Sequence, residues 1–519
     1  AGTAVLSRLI RKLTAGIIKA LPRLELVTLG YLLFVAVVYN SVMKVDLNRH
    51  FYSFPRQIQP EAQTQSSPPN IFIAIVDNLR ADYAGCYGDT LGLTPNIDRI
   101  ASEGALFLNH YSTSSWTTPG FVSIYTSLDP HRVLLTEDRP EVSHSLEGKY
   151  FFYPVNKIKP ETPAVTSIYK NAGYQVSTFQ ANYQAGERFN FNLHNDFYLS
   201  CYNRTRDANL LFVIFSGVES VAKSIINIDQ ESHSPVQNKS AKHYCAYGDK
   251  LVNYSFGLID QSSRRPFLNI VNFMDVHEYS KRYPAVHNLD LIKSVYPIEY
   301  LRVSYAANTV YDDEQIGRIY RQLEDRNLLD NTILVIMSDH GEQFGEHGAV
   351  GEHGFSVYNE EIKVPFIVRY PSKIPAGQIF SDPGSNLDLL PTLLSLCDLD
   401  AGSYEFEGID LFNSAPQERS LFAGMTLYTK DKNALIQGDN KVIYNSYDGS
   451  LEFYNLAADP GELNPASPDS SETGLKMKTH LEAWINEITI CREDLAEELA
   501  GEGDTGIDAN ELKSIGYIK

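Results

Sequence analysis

Cysteine is scarce in this sequence and never clustered: five residues, Cys86, Cys201, Cys245, Cys397 and Cys491, are spread over 519 positions with no C-x-x-C pair. The spacing excludes a zinc knuckle and argues against a disulfide scaffold, although outside the cytoplasm Cys201 and Cys245 could pair. Positive charge is the second shortage. Lys and Arg number 44 against 64 Asp and Glu, a formal charge of −20. Five of the basic residues (Arg8, Arg11, Lys12, Lys19, Arg23) lie in the first 23 positions, where there is no acid. The remaining body would repel phosphodiester backbones, which excludes nucleic acid as a partner. No repeat architecture is present, and the only internal echo is the tetrapeptide GEHG, at Gly345–Gly348 and again at Gly351–Gly354. An apolar share of 43% is that of a folded protein, and the length suits two or three domains, or one large α/β domain with an appendage.

Charge is also missing from one continuous stretch, Leu26–Met43 (LVTLGYLLFVAVVYNSVM), whose eighteen residues are at the lower edge of what spans a bilayer as a helix. The basic flank before it, facing Lys44 and Asp46 after it, orients such a helix with the N-terminus in the cytoplasm and the bulk of the chain outside. The segment before the apolar run is long for a signal peptide, and no clear A-x-A site follows it. Residues 1–50 therefore read as a cytoplasmic basic segment and a signal-anchor helix, giving a single-pass membrane protein with an extracytoplasmic domain. Residues 51–69 (FYSFPRQIQPEAQTQSSPP) have the Pro/Gln/Ser composition of a linker. N-x-S/T sequons occur at Asn203, Asn238 and Asn253, a pattern common by chance.

From residue 70 the pattern changes. Asn70–Val76 (NIFIAIV) is a continuous apolar run, as expected of a parallel strand buried on both faces, and similar runs recur at Phe267–Phe273, Ile333–Met337 and Val364–Val368. Helical patterns lie between them, at Tyr300–Leu329 and Leu387–Leu396. Alternation of this kind predicts an α/β fold, a mostly parallel sheet with helices on both faces, over residues 70–416, with an irregular insertion at about 195–260. Residues 417–519 read as a small antiparallel subdomain, built from LFAGMTLYT, KVIYNSY and LEFYNL, then a helix from about 473 to 495 and a tail.

Polar residues concentrate just after the strands, where ligands gather in open α/β sheets. Asp77 and Asn78 follow the first strand, Asp275 and His277 the second, and Asp339, His340 and Glu342 the third, with His347 and His353 in the Gly-rich loop beyond. A single Asp after a strand is usually a turn or helix cap. Three strands ending in Asp, two with His close behind, point instead to a divalent cation. Mixed carboxylate and imidazole donors favour zinc or manganese, whereas carboxylates alone would suit calcium or magnesium. Lys is absent from these three loops. The stretch SSWTTPGFVSIYTSL, Ser114–Leu128, leads a run of hydroxyl residues into a predicted helix, with Pro119 fitting its first turn. A threonine hydroxyl becomes a useful nucleophile only beside a base or a cation. A helix N-terminus behind it adds unpaired N–H groups suited to an anionic phosphoryl or sulfuryl oxygen.

In order along the chain, NIFIAIVDNLRADYAGCYG, TPNIDRIASEGALFLNHYSTSSWTTPGFVSIYTSL, FLNIVNFMDVH, NTILVIMSDHGEQFGEHG, HGFSVYNEEIKVPFIV and NLDLLPTLLSL, then LEFYNLAADPGE and ELKSIGYIK, resemble the sulfatase branch of the alkaline phosphatase superfamily. The resemblance runs from about residue 70 to the C-terminus, apart from the middle insertion, and implies an alkaline phosphatase-like fold. It implies Asp77, Asp339 and His340 as metal ligands and Thr117 as the nucleophile, itself beside the metal. His277 and His353 would bind the anionic group, protonate the leaving oxygen or hold a second metal; Asn78 and Asp275 are further candidate ligands. Sulfatases carry Cys or Ser in a C/S-x-P-S-R motif that is converted to formylglycine. Here Thr117-Thr118-Pro119-Gly120-Phe121 stands in its place, so no formylglycine is expected: oxidised threonine is a ketone, and Phe121 replaces the arginine. Asn78 in place of a second Asp, and His340 in place of a common Asn, resemble the threonine-using branch of phosphodiesterases, phosphonate hydrolases and membrane-anchored phosphoethanolamine or phosphoglycerol transferases.

The expectation is a membrane-anchored, metal-dependent hydrolase or transferase of phosphate esters, acting through a covalent threonine intermediate on an envelope glycan or lipid headgroup. Two alternatives stand beside it. A catalytically silent sulfatase-like binding protein is suggested by Phe121, Asn78 and the Thr126-Ser127 helix ending, and a sulfuric ester hydrolase would use Thr117 or water directly.

Overall fold

The computed structural model describes residues 68–138, 152–154, 156–200, 247–260, 265–279, 297–400, 402–413, 419–428 and 431–501. The signal-anchor helix, the bulk of the linker, the Cys201–Cys245 pair and the sequons at Asn203 and Asn238 lie outside them. Among the described residues, no helix is long and apolar enough to cross a membrane.

Strand β1 (Asn70–Val76) is buried along its whole length, and its side chains divide between two cores. Ile71, Ile73 and Ile75 enter one and Phe72, Ala74 and Val76 the other, as period-2 alternation requires of a strand covered on both faces. It lies inside an eight-stranded sheet with β2 (Ala105–Phe107), β3 (Gln175–Gln180), β4 (Phe197–Ser200), β5 (Phe267–Phe273), β6 (Thr332–Met337), β7 (Phe366–Arg369) and β8 (Gln378–Phe380), in the order β8-β2-β7-β6-β1-β5-β3-β4. The helices α1 (Pro95–Ser102), α2 (Thr117–Thr126), α3 (Val165–Asn171), α4 (Gly248–Ile259), α5 (Pro297–Asp325) and α6 (Leu389–Leu396) cover it. Those of α2, α3 and α6 share the core of Ile71, and those of α1, α4 and α5 share the core of Phe72.

The sheet is mostly parallel, as expected, with one strand that makes it mixed: the run at Val364–Val368 forms β7, which is antiparallel to both β6 and β2. Between β6 and β7 the chain forms a short antiparallel pair, Gln343–Phe344 with Val350–Glu352, and a four-residue helical turn, Asn359–Ile362. A parallel return would need a full crossover, and without one the chain folds back beside β6 in the opposite sense. The flanks of the expected insertion at 195–260 also belong to the main layer, because β4 pairs in parallel with β3 and α4 packs on the sheet.

The C-terminal part is an antiparallel meander, β9 (Ser420–Ala423), β10 (Lys432–Gln437), β11 (Asn440–Asn445) and β12 (Leu451–Asn455), followed by α7 (Glu472–Gly501). One face of the meander, through Leu421, Ala434, Ile436 and Ile443, meets Tyr111, Val357 and Ile362 of the main layer. The other, through Leu435 and Val442, meets Met477, Leu481, Trp484 and Ile488 of α7.

Candidate active site

Sheet register brings the polar loops to one level. Ile75 of β1 is opposite Asn272 of β5 and Met337 of β6, so Asp77 and Asp339 leave the carboxyl edge two residues beyond paired positions. Asn78 takes the left-handed turn there, with φ 70°, a conformation Asn tolerates better than most residues. Its backbone N–H donates to Asp339 Oδ1 (3.1 Å), and so does the N–H of His340 (3.0 Å).

Thr117 reaches this point because α2 starts beside it. The preceding segment is tied to the C-terminal meander's edge: Ser114 Oγ (3.1 Å) and Trp116 Nε1 (2.6 Å) both donate to the carbonyl of Met425. The first turn of α2 then runs against the Asp339 loop so closely that a Cβ on Gly120 would stand 2.9 Å from Asp339 O. Thr117 Oγ1 lies 3.3 Å from His340 Nε2, whereas the Thr118 hydroxyl is committed to the carbonyl of Gln184 (2.8 Å). Of the two hydroxyls, only that of Thr117 faces the acidic cluster. Phe121 points away from the site, fully buried against Phe191 and Tyr125. Ser127, at φ 59°, closes the helix where glycine is usual, its hydroxyl donating to Leu387 O (2.7 Å).

Asp77, Asp339 and His340 are fully buried, with donor atoms all within 4.8 Å of one another. His340 Nε2 is 3.6 Å from Asp77 Oδ1 and 3.5 Å from Asp339 Oδ2, and neither of these two oxygens has a hydrogen-bond partner. His340 Nδ1 faces the carbonyl of Gly341 (3.0 Å), which sets the proton on that nitrogen and leaves the Nε2 lone pair toward the carboxylates. Burial and the neighbouring Asp339 push the Asp77 carboxyl well above its usual range, and burial pushes Asp339 up to about 7. Burial, and then His353, hold His340 well below the usual histidine value. Two desolvated carboxyls and a neutral imidazole converging on one point are costly without a cation and fit one well. The O, O, N donor set, with Thr117 Oγ1 next to it, is one that zinc or manganese accepts.

His353 and His277 line the same place. The His353 ring is 4.4 Å from that of His340 and 4.9 Å from that of His277, centre to centre. His353 Nδ1 is 3.2 Å from Glu342 Oε2, and the same oxygen accepts from Asn78 Nδ2 (2.5 Å). Burial works against charging His353, and the Glu342 carboxylate outweighs it, so its pKa is raised. The loop carrying His353 is clamped by Glu361, fully buried, which accepts from Gly354 N (2.6 Å), Ser356 Oγ (2.6 Å) and Gln343 Nε2 (2.5 Å).

Other candidates are elsewhere. Asp275 Oδ2 accepts from the N–H of Gly248 (2.9 Å) at the start of α4, a helix-capping task, and Asp275 is not among the three groups whose donor atoms converge. Asn78 Nδ2 donates to Glu342, while its side-chain oxygen, the atom that could bind a cation, is buried without a hydrogen-bond partner. His347 turns away to Glu360 (2.5 Å) and the carbonyl of Glu462 (2.9 Å), stacked on Tyr358. Sequence reading missed Asn182, whose Nδ2 donates to both Asp77 Oδ2 (2.7 Å) and Thr117 Oγ1 (3.0 Å). It follows β3, which has too many polar residues to read as a buried strand, so nothing pointed to its carboxyl end.

The family profile that matches this chain, over residues 69–399, is Sulfatase. The chain belongs to the sulfatase family. It is 25% identical over 436 residues to a Delta 4,5-hexuronate-2-O-sulfatase of Bacteroides thetaiotaomicron, covering 79% of this chain and 86% of that protein. A solved structure in complex with its substrate D-glucosamine-2-N,6-O-disulfate superposes with TM-score 0.60 at 18% identity, over 81% of this chain and 98% of the other. The phosphonate monoester hydrolase of Agrobacterium radiobacter superposes with TM-score 0.54 at 18% identity, over 82% and 96%. Both structures have the same alkaline phosphatase-like fold, here with its mixed sheet and C-terminal antiparallel meander. This sulfatase-family chain is therefore a hydrolase of that superfamily, and its buried Asp-Asp-His group is where the family's divalent metal would be held.

Proposed function

We propose that this protein is a metal-dependent phosphoester hydrolase or transferase that works through a covalent phosphothreonine at Thr117. The observation that carries the reading is the position of Thr117 Oγ1, at the start of α2 and 3.3 Å from His340 Nε2, beside the unpartnered oxygens of Asp77 and Asp339. A divalent cation held by Asp77, Asp339 and His340 would supply Lewis-acid charge beside this hydroxyl. Thr117 Oγ1 attacks phosphorus and its proton leaves to solvent; the bond to the leaving oxygen breaks, and His353 or His277 gives that oxygen a proton. In the first turn of α2 Pro119 has no N–H and that of Gly120 bonds to the carbonyl of Trp116, so the N–H groups of Thr117 and Thr118 are the ones that would meet the charge that develops. Water or an alcohol then takes the phosphoryl group and frees Thr117. Phosphorus is preferred to sulfur because threonine cannot become the aldehyde of ordinary sulfatases.

The reading includes a single-pass anchor at Leu26–Met43, supported by its lack of charge and its basic flank, with the catalytic part outside the cytoplasm. An envelope glycan or lipid headgroup is the matching substrate class. Protease added to intact cells is expected to cut beyond residue 51; full protection would reverse this topology.

Sulfuric ester hydrolysis is the second reading, favoured by the sulfatase names of the relatives. One experiment separates the two: elemental analysis of the purified full-length protein, with turnover of aryl phosphodiester, phosphonate and sulfate esters by wild type and Thr117→Ala. Bound zinc or manganese and phosphoester turnover that vanishes in Thr117→Ala supports the proposal. Sulfate turnover alone favours the second reading, and neither metal nor turnover in folded protein leaves a silent binding domain.

A further inference from the structure

We infer that Asn182 is a catalytic residue, whose amide N–H holds Thr117 Oγ1 in its attacking position and takes up part of the negative charge that oxygen gains; the inference rests on the function proposed above. Asn182 is 2% exposed, at the turn after β3. Its orientation is set by its neighbours. The side-chain oxygen accepts from the N–H of Gln184 (2.8 Å), a group that can only donate, so the two hydrogens on Nδ2 point the other way. One goes to Asp77 Oδ2 (2.7 Å) and the other to Thr117 Oγ1 (3.0 Å). Its backbone N–H is held in turn by Gln180 Oε1 (3.1 Å), so the whole residue is fixed before any substrate arrives.

Two consequences follow from this geometry. Because Thr117 Oγ1 accepts from Asn182, its own proton must point elsewhere, and the oxygen is already solvated by a donor when that proton is lost. Because Asp77 Oδ2 is occupied by the same amide, Oδ1 is the carboxylate oxygen left for a cation. A donor already in place where charge develops needs no reorganisation during the reaction, and removing one such donor typically slows turnover by about 10²- to 10³-fold. Aspartate would keep the acceptor for Gln184 and lose both donated bonds; serine or alanine would lose the reach.

The test uses full-length wild type, Thr117→Ala, Asn182→Asp, Asn182→Ser and Asn182→Ala, loaded with zinc or manganese. Turnover of bis(p-nitrophenyl) phosphate is measured beside metal content and affinity for orthovanadate, a mimic of five-coordinate phosphorus that reports without turnover. The expected result for the Asn182 variants is kcat down about 10²-fold, KM within about threefold, metal content unchanged, and orthovanadate affinity weakened far more than that for inorganic phosphate. If Thr117→Ala is inactive while every folded Asn182 variant keeps wild-type kcat and orthovanadate affinity, the assignment of Asn182 is overturned and the proposed function stands. Loss of activity restored by excess metal also overturns it, since Asn182 would then only position Asp77. If Thr117→Ala turns over and binds orthovanadate like wild type, the proposed function itself fails.

Discussion

The tetrapeptide GEHG occurs twice within ten residues, and its two histidines have opposite surroundings. His347 is wedged between Glu360 and the backbone of Glu462 and stacked on Tyr358, with its ring 3.6 Å from that ring, joining the main layer to the C-terminal meander. His353 turns into the candidate site, against His340 and His277 and backed by Glu342. The same chemical group is cemented into an interface in one place and turned toward the metal-ligand candidate His340 in the other. Glu361 makes the difference: its carboxylate binds the backbone just after His353, while the chain around His347 is held by its own side-chain contacts.

The comparison is broken most directly by substituting each histidine in turn. His353→Gln is expected to lower turnover of an aryl phosphodiester by about 10²- to 10⁴-fold with little change in thermal stability. His347→Gln should leave turnover near wild type; equal losses in both would dissolve the distinction. Next in size is the clamp. Glu361→Gln keeps the side-chain shape and loses charge, and misplacement of His353 should cut kcat by on the order of 10- to 100-fold while metal content holds. An unchanged kcat would show that the loop needs no clamp.

Gly120→Ala tests the close approach of α2 to the Asp339 loop. Placing a Cβ 2.9 Å from a backbone oxygen should destabilise the fold by about 1–3 kcal/mol in denaturant titration. A neutral result would mean the helix start can shift without cost. The smallest effect belongs to His347. Losing its two hydrogen bonds should cost about 1 kcal/mol near neutral pH. Burial lowers its pKa but the hydrogen bond to Glu360 raises it more, so the net folded value lies above 6.5. A raised folded pKa stabilises below the unfolded value and ceases to do so as pH rises through the folded one. The melting-temperature gap between wild type and His347→Gln should therefore be widest below pH 6.5 and narrow on the alkaline side. A gap independent of pH would mean that this histidine never carries charge.

Legibility followed the kind of signal each element gave. β1, β5 and β6 were readable because apolar side chains fill both of their faces. β3 was not: Ser177 and Gln180 are buried but satisfied by Asn269 Oδ1 and the carbonyl of Ala185, partners remote or irregular in sequence. Asp275 looked like a ligand because it follows a strand beside a histidine, yet its carboxylate caps α4, whose start is 27 positions upstream. The sense of β7 was hidden as well, since an apolar run looks the same in either direction.

The sequence by itself determined the buried strands of an α/β core, the donor types for a divalent cation at their ends, and a threonine at a helix start in place of a formylglycine precursor. Those are local properties, written in period-2 and period-3.6 patterns and in the chemistry of single residues. Thr117 and His353 were already implied by the family resemblance; tertiary structure alone decided that Asn182 completes the cluster, that Asp275 caps α4 and that β7 runs against its neighbours. The reason is that each of these depends on sheet register and on hydrogen bonds between segments tens to hundreds of residues apart, which no local pattern records.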